Sequence, residues 1–197
     1  MTRIIIADDH ALIRKGLKEL LSTQPNMHII EAQNGQELIK KLNSLDIHAV
    51  VLDISMPGKS GLEILKEIRI THPHVPVLIL SVYPEDQYAI RALKAGASGY
   101  LTKDSAPELL VTAIDKVLKG EKYISPSIAH RLVSELDEKN LNKLPHEKLS
   151  DREFEVLKLI GSGLSVTGIG ERIFSSHKTV STYSTRILEK TGLNDKI

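Results

Sequence analysis

The sequence predicts an α/β protein, a doubly wound five-stranded parallel sheet followed by a small all-α unit. Three observations predict it. Five short apolar runs alternate with helix-periodic stretches over the first 119 residues, as expected of parallel strands covered on both faces. Acidic, hydroxyl and basic residues stand where those runs stop. From Leu149 onward the periodicity is helical only, punctuated by Gly161, Gly163 and Gly192.

The first strand is expected over Ile4-Ile5-Ile6-Ala7, and the others near 28–32, 48–52, 76–80 and 98–101. Leu12, Leu17, Leu20 and Leu21 mark the first helix; Leu38, Ile39 and Leu42 the second; Leu62, Leu65 and Ile68 the third. Ile90 and Leu93 mark the fourth, and Leu109, Leu110, Ile114, Val117 and Leu118 the fifth. Right-handed crossovers then place helices on both sides of one sheet. Residues 120–148 change character. Ser125-Pro126 offers a cap and a first-turn proline, Ile128, Leu132 and Leu136 recur every four residues, and Asp137 to Lys148 is polar with a breaker at Pro145. This is the pattern of a linker carrying one short helix.

The bulk properties narrow the class. A chain of 197 residues with 41% hydrophobic and 26% charged residues has enough apolar side chains for a packed core. No apolar run approaches the roughly 18 residues of a membrane span. Asp8-Asp9-His10 interrupts the N-terminal apolar run and no cleavage pattern follows, so a signal peptide is not expected and the cytoplasm is. The absence of cysteine excludes a disulfide scaffold, thiol catalysis and a Cys-ligated zinc site. A net charge of +1 points to no partner.

The strand ends carry the chemistry. Asp8 and Asp9 follow the first strand, Asp53 the third, Ser81 the fourth and Lys103 the fifth; ligands of such sheets gather at the carboxyl ends of the strands. Mg²⁺ takes oxygen ligands in an octahedron and keeps several waters, which two or three converging carboxylates suit. A metal beside Asp53 would neutralise an incoming phosphoryl group while the Asp53 carboxylate acts as nucleophile and becomes an acyl phosphate. Lys103 would set a point cation against the same oxygens, and Ser81 could donate its hydroxyl. The turn Ile54-Ser55-Met56-Pro57-Gly58 would bring backbone close to the metal. Singly, each residue has a plainer reading: Asp9 capping a helix that begins near Ala11, Ser81 in a turn before Pro84, Lys103 solvated. Their joint placement favours a site. His10, His28, His48, His72 and His74 show no ligand spacing and read as surface or capping residues.

On these motifs, Asp8-Asp9, Asp53-Ile54-Ser55-Met56-Pro57-Gly58, Ser81 and Lys103, residues 1–119 resemble the receiver domain of bacterial two-component response regulators, a flavodoxin-like fold. The resemblance implies that Asp53 accepts phosphate from a sensor histidine kinase. It implies that Asp9, Asp53 and the backbone carbonyl of Ser55 hold Mg²⁺, with Asp8 assisting. It also implies that Ser81 and Tyr100 move together on phosphorylation and remodel a face made by the fourth helix, fifth strand and fifth helix.

Residues 149–197 read as three short helices. Ser150-Asp151-Arg152-Glu153 is a capping box opening a helix with Phe154, Leu157 and Ile160 on one face. Ser165 would cap a second helix through Ile169 and Ile173. Ser176 would cap a third, with Val180, Tyr183, Ile187 and Leu188 as its buried stripe. Such a unit suggests a helix-turn-helix whose third helix exposes Lys178, Thr179, Ser181, Thr182, Thr185, Arg186 and Glu189. Short polar side chains there can touch base edges, and Lys178, Arg186 and Lys190 could hold phosphates. Seven Lys and Arg against six Asp and Glu, 7 − 6 = +1, is weak for a polyanion binder, and a helical interaction module fits the composition equally. The stretches 149–157, Gly163-Leu164-Ser165, Thr179-Val180-Ser181 and Ile187-Leu188-Glu189-Lys190 resemble the LuxR-type DNA-binding domain. Receiver plus this domain is the NarL/FixJ class.

Two features depart from that family. Gly168 and Gly170 stand in the second helix where the family usually has an acid and an alanine, each glycine costing about 1 kcal/mol relative to alanine. The chain also ends at Ile197, where the family's fourth helix begins, so the domain is expected to lack its last helix. The leading expectation is a phosphorylation-dependent, DNA-binding transcriptional regulator that forms a homodimer on double-stranded DNA when phosphorylated. The alternative is a receiver-based protein-interaction module whose C-terminal domain binds DNA weakly or not at all. An aspartate-nucleophile phosphatase is disfavoured, because Ser55 stands where that chemistry places its acid; the chain is expected not to be an enzyme beyond slow autodephosphorylation.

Overall fold

A computed structural model describes residues 1–137 and 145–192, which fall into two compact units divided between Asp137 and Glu138. The first unit contains strands β1 (Thr2–Ala7), β2 (Met27–Ala32), β3 (Ala49–Asp53), β4 (Val77–Ser81) and β5 (Gly99–Thr102). Helices α1 (Ala11–Ser22), α2 (Gly35–Ser44), α3 (Gly61–Thr71), α4 (Glu85–Lys94) and α5 (Ala106–Leu118) follow them in strict alternation. All strand pairs are parallel, in the order β2-β1-β3-β4-β5. The doubly wound sheet expected from the apolar runs is therefore the one formed, with each strand within two residues of its expected bounds.

Burial explains why the strands read as continuous apolar runs. Every residue of β3 and β4 is buried, because helices cover both sheet faces. Ile4, Ile6, Val51, Leu78 and Leu80 join Leu17 and Leu21 of α1 and Leu110, Ala113, Ile114 and Val117 of α5 in one core cluster. Strand alternation turns Ile5, Val50, Leu52 and Ile79 to the other face, and these are fully buried as well. Polar residues hold the helix entrances: Asn34 Oδ1 accepts from Glu37 N–H, and Ser60 with Glu63 closes a capping box on α3.

The expected linker helix forms as α6 (Pro126–Asp137) and clusters with the first unit. Tyr123 makes a parallel bridge to Gly99, with Tyr123 N–H donating to Ser98 O at 2.9 Å. Among the described residues no helix is long and apolar enough to cross a membrane.

The second unit holds a 3-10 turn (Pro145–Lys148), α7 (Asp151–Gly161), α8 (Val166–Arg172) and α9 (His177–Thr191). The three expected serine caps are present: Ser150 on Glu153 N–H, Ser165 on Gly168 N–H and Ser176 on Thr179 N–H. The core is Leu149, Phe154, Val156, Leu159, Ile169, Ile173, Val180 and Ile187. On α7 the expected inner face of Phe154, Leu157 and Ile160 is displaced: Val156 and Leu159 are buried, while Leu157 and Ile160 are half-buried. The helix packs against both α8 and α9, so its buried arc is wider than a single stripe and takes in Arg152, Glu153 and Glu155. On α9 only Val180 and Ile187 are buried; Tyr183 and Leu188 are half-buried. The expectation of a missing final helix concerns residues beyond Gly192, outside the described residues.

Candidate functional site

Parallel register brings the strand ends to one place. Asp8 follows β1, Asp53 closes β3, Ser81 closes β4, and Lys103 follows β5 with its N–H donating to Ser81 O at 2.7 Å. Asp8 and Asp53 are essentially sealed from solvent, at 0% and 1% exposure. Lys103 Nζ reaches across to both, 2.7 Å from Asp8 Oδ2 and 2.8 Å from Asp53 Oδ2. Asp53 Oδ1 accepts from Ser55 N–H at 3.1 Å, which folds the loop after β3 back over the carboxylate.

Two buried carboxylates beside one ammonium leave an excess of negative charge. Burial lifts the Asp53 carboxyl above its ordinary value; Lys103 pulls it down, and the neighbouring Asp8 pushes it up again. Burial alone would lower Lys103, yet Asp53 and Asp8 hold its ammonium above the ordinary range. Asp8 Oδ2 and Asp9 Oδ1 are buried and make no hydrogen bond within the chain, although Lys103 and His10 lie at ion-pair distance. Directional satisfaction is therefore left to something else, and carboxylate oxygens of Asp8, Asp9 and Asp53 with a His10 ring nitrogen lie within 4.8 Å of one another. Three converging carboxylates with excess negative charge fit a hard divalent cation.

His10 keeps its expected place at the surface and also borders the pocket. It was expected at the surface or as a cap, and its ring is indeed 63% exposed, but Nδ1 stands 2.9 Å from Asp9 Oδ1, over the pocket. It occupies the cap position of α1 without a side-chain cap bond; Asp9 does not cap that helix and faces the pocket. Its adjacency to Asp8-Asp9 was the available signal. Arg14 was also missed: buried on α1, it donates from Nη1 to Asp8 O at 2.7 Å and from Nε to Glu31 at 3.4 Å, pinning the β1–α1 junction. A charged residue on the inner stripe of an amphipathic helix was the clue.

Ser81 and Tyr100 are both buried. Ser81 Oγ accepts from Tyr83 N–H at 3.0 Å, and the Tyr100 hydroxyl donates to Tyr83 O at 2.8 Å. Burial pushes the Tyr100 phenol far above its ordinary value, so it remains a donor. Both predicted switch residues thus hold one loop residue, Tyr83, which stacks on Tyr88 of α4 at 4.7 Å between ring centroids.

In the second unit, Lys178, Thr182, Thr185 and Arg186 lie exposed on α9, and Thr179 and Ser181 are half-buried. The Thr182 and Thr185 hydroxyls donate back to Lys178 O and Ser181 O, so they present methyl groups and acceptor lone pairs outward. Among the described residues neither Lys178 nor Arg186 has an ion-pair partner. Lys190 differs from the expectation, because Nζ lies 2.9 and 2.6 Å from the two oxygens of buried Glu153. It ties α9 to the start of α7.

An acidic pocket with one lysine at the carboxyl ends of a parallel sheet, in a chain that also carries a helix-turn-helix unit, defines a receiver-type switch protein with a DNA-binding output. Residues 4–115 match the response regulator receiver domain family, and residues 147–197 match the bacterial regulatory proteins of the luxR family. The response regulator GacA of Pseudomonas viridiflava is 35% identical over 198 residues, covering 100% of this chain and 92% of that protein. The oxygen regulatory protein NreC of Staphylococcus carnosus is 35% identical over 201 residues, covering 98% and 93%. The structure of RcsB from Salmonella enterica serovar Typhimurium, bound to promoter rprA in the presence of the phosphomimetic BeF3-, superposes with a TM-score of 0.65 at 27% identity, covering 99% and 94%. The chain belongs to the NarL/FixJ-type response regulators, which join a receiver domain to a LuxR-type helix-turn-helix domain. It is a DNA-binding transcriptional regulator of a two-component system.

Proposed function

We propose that Asp53 is the phosphoryl acceptor from a sensor histidine kinase, and that its phosphorylation controls DNA binding by α9. One observation carries this reading: the Asp53 carboxylate, sealed from solvent, shares Lys103 with Asp8 in a cluster whose carboxylate oxygens, Asp9 included, lie within 4.8 Å of one another. The Asp53 carboxylate attacks the phosphorus, the bond to the kinase imidazole breaks, and the ring leaves protonated. Asp9, Asp53 and the Ser55 carbonyl, with Asp8 assisting, would hold Mg²⁺, which would supply neutralising charge for the transferred oxygens. Lys103 exchanges its bond to Asp53 for one to a phosphoryl oxygen. Ser81 keeps its acceptor role to Tyr83 N–H while donating its own proton to the phosphoryl group.

Residues 1–119 serve as the receiver, 120–148 as the connection and 149–197 as the DNA-binding domain. Lys178 and Arg186 contact phosphates; Thr179, Ser181, Thr182 and Thr185 approach base edges. Lys190 acts by holding α9 on Glu153. The phosphorylated protein works as a cytoplasmic homodimer on a two-fold DNA site, and turns over its own phosphate only slowly. A clean switch requires phosphorylation to favour the active arrangement by about 5 kcal/mol.

The test is binding of labelled duplex to the full chain with and without acetyl phosphate and Mg²⁺, beside Asp53→Asn. Binding that needs the phosphodonor, is lost in Asp53→Asn and weakens with salt is the expected result. Phosphate loading on Asp53 with no DNA binding in any state would move the output to protein contacts.

A further inference from the structure

The α4 face that the family resemblance marks for output is covered by this chain's own segment. Tyr123 bridges alongside Gly99 of β5, and α6 then packs against α4. Polar contacts from the described residues help to close the clasp. Ser125 Oγ donates to Glu85 Oε2 at 2.6 Å, and Arg131 Nη1 donates to Asp86 O at 2.6 Å. Ser125 also caps α6, accepting from Ile128 N–H at 3.4 Å, so the Glu85 carboxylate stands at the positive end of that helix. Ile128 is the one fully buried residue among the described side chains of α6. A helix whose described side chains, Ile128 apart, are exposed or half-buried belongs to the low end of local stability.

Direct contacts join this clasp to the acidic pocket. Lys103, which bridges Asp53 and Asp8, donates its backbone N–H to Ser81 O. Ser81 Oγ accepts from Tyr83 N–H, and Tyr83 O accepts from the Tyr100 hydroxyl. Tyr83 lies two residues before Glu85, where α4 begins without a side-chain cap of its own. Any shift of Ser81 toward a phosphoryl group on Asp53 moves the backbone that carries both anchor residues, Glu85 and Asp86. The clasp thus occupies the face that would otherwise meet a partner, and it hangs from the loop that phosphorylation pulls.

We infer that α6 is a phosphorylation-released clasp: in the unphosphorylated protein it covers α4 through Glu85–Ser125 and Asp86–Arg131, and phosphoryl transfer to Asp53 loosens it and uncovers that face. The inference rests on Asp53 being the acceptor. It adds that α6 is the part of the chain that answers.

The test is hydrogen–deuterium exchange on the full chain, with Mg²⁺ and with or without acetyl phosphate, the extent of phosphorylation being read by intact mass. In the wild type, phosphorylation is expected to raise exchange of the α6 amides over 128–133 roughly tenfold, as loss of a weakly held helix does. The Glu85→Ala/Arg131→Ala variant is expected to show that fast exchange before phosphorylation and no further rise after it. Circular dichroism confirms that it folds. Asp53→Asn should show the slow pattern throughout. A phosphorylated wild type whose α6 exchange is unchanged overturns the clasp and leaves the acceptor reading standing; a chain that takes up no phosphate on Asp53 overturns both.

Discussion

Alanine at Gly168 and at Gly170 should change the stability of the DNA-binding unit in opposite directions. Both positions lie in α8, so the gain in helix propensity, about 1 kcal/mol, is common to them. Their surroundings differ. A Cβ at Gly168 would meet Ser165 Oγ at 3.5 Å and Leu164 Cδ2 at 3.7 Å, ordinary contacts. A Cβ at Gly170 would lie 2.7 Å from the backbone oxygen of Ser175, whose own N–H donates to Gly170 O at 2.8 Å. Relief would have to open that turn, at about 1–3 kcal/mol for overpacking and about 1 kcal/mol for the hydrogen bond. Gly168→Ala is therefore expected to stabilise by about 0.5–1 kcal/mol and Gly170→Ala to destabilise by about 1–3 kcal/mol. Native-state hydrogen exchange at Val156, Val180 and Ile187 in the intact chain reads both, because these residues form the core between α7 and α9. If Gly170→Ala stabilises as much as Gly168→Ala, the close-approach argument is wrong and propensity alone governs the helix.

Other outcomes follow from the same geometry. Gly168→Glu should complete the box that Ser165 half forms with Gly168 N–H, adding about 1 kcal/mol in the same exchange measurement. Lys190→Ala should destabilise α7 and α9 by about 1–2 kcal/mol, less than for a sealed pair because Lys190 is 41% exposed. Burial alone would raise Glu153, but Lys190 and the Ser150 N–H outweigh it and hold the carboxyl below its ordinary value of 4.5. Its contribution is thus complete above that value and fades as pH falls through the depressed one, so acid unfolding of this unit should lose part of its dependence below pH 4.5 in the variant. Lys103→Met should leave two buried carboxylates facing each other without an ammonium and abolish phosphate uptake by intact mass, while Ser81→Ala should leave uptake measurable. Lys178→Ala and Arg186→Ala should each weaken duplex binding uniformly across sequences and lower the salt slope by about 1, whereas Lys190→Ala should leave that slope unchanged.

The sheet was legible because Ile4–Ala7 of β1 and all of β3 and β4 are buried, which leaves the stretches before Asp8, Asp53 and Ser81 apolar. Asp53 and Asp8 stood out for the same reason: a carboxylate directly after Val51-Leu52 or Ile6-Ala7 must be buried or functional. What pattern could not show was direction. His10 leans over the pocket and Lys190 turns inward to Glu153 because of side-chain rotamers and the packing of α9 on α7. The cost assigned to Gly170 was read from helix propensity, which is local; the approach of Ser175 that favours glycine there is tertiary. On α7, Leu157 and Ile160 fitted a narrow stripe, and only contact with two helices at once revealed the wider arc.

The bridge between Tyr123 and Gly99 also determines where the chain can be divided. β5 is the last strand on its side of the sheet, and a border strand whose backbone groups are left unsatisfied invites pairing with foreign chains. A fragment ending at residue 119 would carry that border bare. One extending to Asp137 keeps its border dressed by native chain. The seam between signalling and output parts therefore lies about a helix later than the change in sequence character, and shorter cuts should give a fragment prone to aggregate.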